Sequence, residues 1–346
     1  MSANIRGMQW LFSLLLLVVF CIATLAKAAP AHVNDSSLLH ALPSPIILKG
    51  DAHTAYRDPL LFHHGKTFYL FYSYVKEDAT THLIYWYVGV STSSDLQHWS
   101  PTRVLTAKDQ NLNFASPGSL TRFGNEWVLS MCTYPIPNFH RGDPLRFGDG
   151  RARIYLMRSR DLRHWSKPEL IRVKGPGVAE KDMGKEIDSF LLQDKDDPGE
   201  WWCFYKQNDK IMSSTSRDLM TWTPSGLIVA EGENPEVIVQ DNEYVLFYAP
   251  QNGIGVKRSN DLKTWWDDGP VITLGQKDWP WAETRLTAGY VADFRDVRGV
   301  GKYVMVCHSM GPGKERTDAN VQANCNIVIA WSDDLKTWHW PAESVR

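Results

Sequence analysis

With 346 residues, the chain has room for one large domain or two average ones, and 43% hydrophobic and 22% charged content is ordinary for a globular protein with a sizeable core. A formal net charge of -2 provides no concentrated basic surface, which argues against nucleic acid and against an anionic membrane as partners.

The N-terminus carries Arg6, an apolar run from Trp10 to Leu25 and then Ala26-Lys27-Ala28, the charged, apolar and small-residue parts of a secretory signal in order. Residues 1–28 therefore read as a signal peptide cleaved after Ala28. This predicts a secreted or periplasmic protein with no membrane association after cleavage. The uninterrupted part, Leu14 to Ala23, is short for a membrane span. Cys21 falls in the removed piece, leaving Cys132, Cys203, Cys307 and Cys325, too few for a disulfide-built fold. If one pair forms, Cys307 with Cys325 is expected, since both sit on apparently successive strands. No cysteine or histidine spacing suggests zinc. Asn34-Asp35-Ser36 is a glycosylation sequon, relevant in a eukaryotic host.

After a lead-in over 29–55, segments such as "KTFYLFYSY", "NEWVLSMCTY", "EYVLFYAP" and "GKYVMVCHS" show period-2 apolar patterning and aromatic or β-branched enrichment, which predicts strands. Polar turns precede them: "HHGK", "RFGN", "QDKDDPGE" and "VQDNE". One heptad recurs five times, as "SSDLQHW", "SRDLRHW", "SRDLMTW", "SNDLKTW" and "SDDLKTW", with its aspartate at Asp95, Asp161, Asp218, Asp261 and Asp334. Its Ser and Asp can hydrogen-bond the backbone of a turn while Leu and Trp pack beneath it, so the heptad reads as scaffold.

Helix-length amphipathic patterns are missing, so a four-stranded unit repeated five times predicts an all-β, five-bladed β-propeller over 56–346. The blades run from Tyr56 to Thr106, Phe114 to Val173, Glu186 to Ala230, Glu233 to Leu274 and Leu286 to Pro341. These limits imply no exchanged strand at the ring closure, although "SPIILKG", Ser44 to Gly50, is available to pair at the seam.

The innermost strand of each blade lines a propeller's channel, and these strands begin "RDPLLF", "SPGSL", "IDSFLL", "ENPEVI" and "LTAGYVADF". Three of the five place Asp58, Asp188 and Glu233 at nearly the same point, far apart in sequence yet convergent in a ring. Taken singly, each also reads as a turn cap at a strand start. Crowded carboxyls cannot all ionise cheaply, so one is held protonated beside an anionic one, the pairing that glycoside hydrolysis needs.

The order Asp in blade one, Asp in blade three and Glu in blade four resembles glycoside hydrolase family 43 and its clan relatives over essentially the whole mature chain. The resemblance implies an inverting glycosidase with Asp58 of "RDP" as general base, Asp188 of "IDS" as modulator and positioner, and Glu233 of "ENP" as general acid. Two positions depart from the family pattern, Ser189 where Pro is usual and Asn234 where Gly is usual. Glu231 and Glu236 flank the acid, so its assignment can slip within "EGENPEV". The resemblance also implies a blade-five histidine that contacts a central calcium or its waters, a place matched by His308 of "VCHS", with no cofactor required for bond cleavage. Read from the residues alone, His308 is equally a hydrogen-bonded core histidine.

Sugar sites combine aromatic faces with polar groups for hydroxyls. The loop "DWPWAETR" offers Trp279, Trp281 and Arg285, the excursion "YPIPNFHRGD" offers Tyr134, Phe139 and His140, and blade two contributes Ser116 at its start. Of these, Trp281, Arg285, Ser116 and Phe139 are the expected substrate contacts, although propeller loops also pack on each other. "FRDVRG", with Arg295 and Arg298, reads as a polar hairpin.

The expected function is release of a terminal sugar from a plant or algal oligosaccharide or polysaccharide, with α-L-arabinofuranose or β-D-xylose implied by the resemblance. The alternatives are a retaining fructosidase-like enzyme, an anhydro-galactosidase-like enzyme acting on agar sugars, and a carbohydrate-binding propeller without catalysis.

Overall fold

Five antiparallel sheets follow one another along the chain, each beginning at the ring's centre and ending at its rim. This computed structural model describes residues 35–143, 148–311 and 325–342; the expected signal peptide, Cys21 and Asn34 of the sequon lie outside the described residues. Blade one is built from Thr54–His64, Thr67–Glu77, Ile84–Ser93 and Arg103–Val104. Blade three uses Ile187–Gln193, Trp201–Gln207, Lys210–Ser216 and Trp222–Glu231, and blade four uses Glu233–Gln240, Glu243–Ala249, Gly255–Ser259 and Trp266–Asp267. In blade two the inner strand is broken into Phe114–Ala115 and Leu120–Phe123, both paired with Glu126–Thr133.

Blade five closes the ring with help from the N-terminal side. Its strands Arg285–Phe294, Lys302–Met310 and Cys325–Ser332 are followed by Trp338–His339, which pairs with Trp331 and Ser332. Ile46–Leu48 pairs with the other half of the same strand, at Ile327 and Val328. The seam is therefore closed by a strand from the lead-in, within the Ser44 to Gly50 segment.

Each gap between neighbouring blades holds its own apolar cluster. Leu61, Phe68 and Leu70 of blade one meet Val304, Val306 and Ile327 of blade five, and Leu60 and Phe71 meet Leu129 and Met131 of blade two. Further clusters join blades two and three around Trp201 and Trp222, three and four around Phe204 and Leu246, and four and five around Phe247 and Tyr303. Burying one such side chain stabilises by about 1.5–3 kcal/mol, so the five seams hold the blades together through apolar burial. All four cysteines in the described residues are buried free thiols. Cys307 pairs across its strand with Val328 and Cys325 with Met310, so the expected Cys307–Cys325 bridge is not formed.

The heptad has the structural role its residues suggest. In blade one the Ser93 Oγ accepts the N–H groups of Asp95 and Leu96 at 3.1 and 2.9 Å, and Asp95 Oδ1 accepts those of Gln97 and His98 at 3.0 and 2.8 Å. The other four copies repeat these bonds at Asp161, Asp218, Asp261 and Asp334. The leucine takes φ between 61° and 66° in all five turns. That left-handed backbone costs roughly 1–2 kcal/mol for a residue with a Cβ, offset here by the capped N–H groups and the buried Leu.

Candidate active site

The innermost strands share a backbone irregularity that the sequence does not announce. Asp58, Ser116, Asp188, Asn234 and Ala288 all have positive φ, between 44° and 52°. In blades one, three, four and five the pairing register also shifts there, between Arg57 and Leu60, Ile187 and Phe190, Glu233 and Glu236, and Thr287 and Tyr290. A bulge leaves a residue out of the ladder, which is why Pro59 and Pro235, lacking an N–H, fit next to it. The five bulge residues form a ring that lines the narrow central channel.

This ring corrects the alignment of Glu233. The blade-four counterpart of Asp58 and Asp188 is Asn234, and Glu233 stands one residue earlier, level with Arg57 and Ile187. The carboxylates nonetheless converge, because a cavity of about 950 Å³ above the channel is lined by Asp58, Asp188 and Glu233 together. Arg57, Lys185, Lys206 and Arg285 line it as well, with Trp86 and Tyr134 on one wall.

Asp58 is held from two blades. Its Oδ2 accepts the hydroxyls of Ser73 at 2.6 Å and Ser116 at 3.2 Å, and Ser73 Oγ in turn accepts the Ser116 N–H at 2.7 Å. Ser116 is almost fully buried and acts on Asp58; this differs from the substrate contact expected of it. Tyr134, stacked on Trp86 with centroids 5.2 Å apart, donates its hydroxyl to Asp188 Oδ1 at 3.0 Å.

The electrostatics separate the carboxyls. Burial, reinforced by the negative charges of Glu233 and Asp58, pushes Asp188 up to about 6, against the pull of Lys206 and the Tyr134 hydroxyl. Burial alone would also raise Glu233, but Arg285 and Lys206 outweigh it and hold Glu233 below its ordinary value. Lys206 Nζ lies 2.5 Å from Glu233 Oε2, and Arg285 pairs with Glu233 Oε1. Below about pH 6 the proton in the unliganded protein therefore resides on Asp188 rather than on Glu233, which is the anion. Glu236 is buried facing the narrow channel, accepts the Val291 N–H at 2.5 Å, and is pushed well up by burial.

His308 does not fit a direct calcium ligand. Its Nδ1 accepts the Asp58 backbone N–H at 3.1 Å, which places the proton of the neutral ring on Nε2 and leaves no free lone pair. Burial together with the charges of Arg57 and Arg285 keeps the ring neutral. Among the described residues, no three His, Cys, Asp or Glu side chains gather as metal ligands. His308 positions the Asp58 backbone, and its buried Nε2 has no hydrogen-bond partner among the described residues.

Two aromatic expectations are corrected. Phe139 is fully buried with Trp86, Ile136 and Tyr134 in an apolar cluster, so its ring offers nothing to a ligand. Trp281 lies outside the cavity wall, stacked on Trp279 with centroids 4.6 Å apart. Arg285, by contrast, lines the cavity as expected. Sequence reasoning missed Lys206, although its place opposite Ile187 in the next strand, at the polar end of "WWCFYKQ", puts it beside Asp188.

No family model matches the sequence, and no curated protein matches it. Solved structures do match in fold. A thermostable family-43 glycoside hydrolase is 16% identical with a TM-score of 0.56, covering 86% of this chain and 96% of its own. A family-43 endo-arabinanase from Bacillus licheniformis is 17% identical with a TM-score of 0.53, covering 85% and 99%. An α-L-arabinofuranosidase from Podospora anserina, in complex with cellotriose, is 12% identical with a TM-score of 0.54, covering 84% and 98%. The chain thus has the five-bladed fold found in family-43 glycoside hydrolases.

Proposed function

We propose that this propeller is a glycoside hydrolase that releases a terminal pentose, α-L-arabinofuranose or β-D-xylose, from an oligosaccharide or polysaccharide with inversion of configuration. The observation that carries this reading is the meeting of Asp58, Asp188 and Glu233 in the lining of one cavity, where Asp188 takes up a proton below about pH 6 while Glu233 stays anionic. The fold likeness supports the reaction class, and the arabinanase and arabinofuranosidase among the similar structures support the pentose. The leader at Arg6 to Ala28 supports action outside the cytoplasm.

In the proposed reaction Asp58, oriented by Ser73 and Ser116, takes a proton from water as the water oxygen bonds to the anomeric carbon. The bond to the leaving oxygen breaks, and that oxygen receives a proton from Glu233, the most exposed carboxyl of the three. Glu233 must first be protonated. Substrate oxygens that draw Arg285 and Lys206 away remove the two charges that depress it, and the proton stored on Asp188 then passes to Glu233.

The test is a panel of aryl glycosides led by α-L-arabinofuranoside and β-D-xyloside, with Asp58→Asn beside the wild type. General base catalysis contributes about 10²–10⁴-fold, so Asp58→Asn is expected to lose that much in kcat. Because the proton is needed on the acid, wild-type kcat/KM should fall as the pH rises through about 6. Unchanged turnover in Asp58→Asn would sink the assignment, and saccharide binding with no turnover would favour the binding propeller.

A further inference from the structure

We infer that the saccharide bound here carries an anionic substituent, a carboxylate or a sulfate, recognised by Lys185. The inference rests on the saccharide-binding reading of the cavity and goes beyond it by naming the charge of the substrate. Four cationic side chains, Arg57, Lys185, Lys206 and Arg285, line the cavity. Two of them are occupied with Glu233, and acid–base hydrolysis of a neutral sugar has no need of the rest.

Lys185 is the telling one. It precedes the inner strand of blade three by two residues and is half-buried on the wall that holds Asp188. Among the described residues its ammonium makes no hydrogen bond and no ion pair; its contact is with the Tyr134 ring, 6.0 Å from the centroid. A partly desolvated ammonium lacking a paired anion is unfavourable until an anion arrives, and burial lowers its proton affinity against the pull of Asp188, with neighbouring Lys206 adding to the lowering. Asp188 is nearby and its charge attracts Lys185, but its Oδ1 is taken up by the Tyr134 hydroxyl and it forms no ion pair with the ammonium. The geometry therefore leaves Lys185 as an unfilled half of an ion pair, aimed at the space a substrate enters.

A charged substituent in this place also has a consequence for the reaction. It competes with Glu233 for Lys206 and Arg285, and any weakening of those pairs raises the proton affinity of the carboxyl that must donate.

Calorimetry at low salt with trigalacturonate, a sulfated galactotriose and plain galactotriose tests the inference on wild type, Lys185→Gln and Lys185→Glu. At least one anionic ligand should bind wild type tenfold or more tighter than galactotriose, and which one does so distinguishes carboxylate from sulfate. Lys185→Gln should lose about tenfold for that ligand and Lys185→Glu more, with added salt weakening the wild type. Equal affinity for charged and neutral trisaccharides, or anion binding unchanged in both variants, overturns it. Pentoside turnover without anion preference removes this inference alone, whereas anion preference without pentoside turnover removes the proposed reaction alone.

Discussion

The outer turns and the inner bulges both repeat five times around this ring, yet they treat sequence in opposite ways. At the rim, one backbone conformation comes with one heptad: Ser and Asp cap the turn, and Leu accepts a positive φ so that its side chain can be buried. At the centre, one backbone conformation comes with Asp58, Ser116, Asp188, Asn234 and Ala288. Where all five copies do the same mechanical work the residues stay alike. Where the copies diverge on a shared backbone, the ring has become asymmetric, and an asymmetric ring is what a reaction with a distinct acid and base requires.

The sharpest contrast lies between two carboxyls of blade three. Asp218, in the outer turn, accepts the N–H groups of Thr221 and Met220 and is drawn down to about 2. Glu186, two residues before Asp188, is fully buried, neither of its oxygens has a hydrogen-bond partner, and burial pushes it up to about 7 against the pull of Lys174 and Arg153. Cys203 and Tyr205 are its other titratable neighbours, both themselves pushed up by burial. A carboxyl whose folded value exceeds its unfolded 4.5 contributes stability that is whole below pH 4.5 and lost as pH rises through about 7. Taking 1.36 kcal/mol for each pH unit, the loss is roughly 3 kcal/mol. Denaturant melts of wild type and Glu186→Gln between pH 4.5 and 8 should show a steeper loss in the wild type, the difference being this slope, since Asp188 and Glu236 titrate in both proteins. Parallel curves would mean that Glu186 finds a counter-charge and that the centre is less costly than the comparison holds.

A pair of serines gives a smaller effect. Ser216 Oγ accepts the N–H groups of Leu219 and Asp218 at 3.0 and 3.2 Å in the outer turn, whereas Ser116 Oγ donates to Asp58 in the inner ring. Ser216→Ala should cost about 1 kcal/mol of stability with kcat unchanged, the typical loss of a backbone cap. Ser116→Ala should lower kcat instead, since Ser73 alone then aims Asp58. Melting curves and pentoside turnover on both variants would expose an exchange of these roles, and with it a failure of the division between rim and centre.

The rim could be read from sequence and the centre only in part, for physical reasons. A capped turn uses residues within five positions of each other, so its chemistry is written locally, and five copies at 43 to 73 residue spacing were enough to predict the five blades. Asp58, Asp188, Glu233 and Arg285 were found because each lies at an inner-strand start or a loop that reaches the channel. Lys206 was not, since its bond to Glu233 spans 27 residues and joins two blades. The one-residue offset of Glu233 was hidden because a bulge leaves no mark on composition. Phe139 and Trp281 misled because an aromatic ring in a loop has the same letters whether it faces a sugar or another ring.

Ala288 tests whether the inner backbone is imposed by the fold rather than chosen by its residues. It is the ring member with neither a polar side chain nor a glycine's freedom, at φ 52° and nearly buried against the channel. Left-handed backbone costs a residue with a Cβ roughly 1–2 kcal/mol, while glycine adds back about 0.5–1 kcal/mol of unfolded-chain entropy. Ala288→Gly should therefore leave stability unchanged or raise it by up to about 1 kcal/mol, read from thermal unfolding. The same exchange at Leu219 of the rim, φ 62°, relieves the same strain but removes a buried side chain worth about 2–5 kcal/mol, so the two positions should move in opposite directions. A loss at Ala288 comparable to that at Leu219 would mean that its methyl packs as a structural part, and that the centre is held by side-chain contacts just as the rim is.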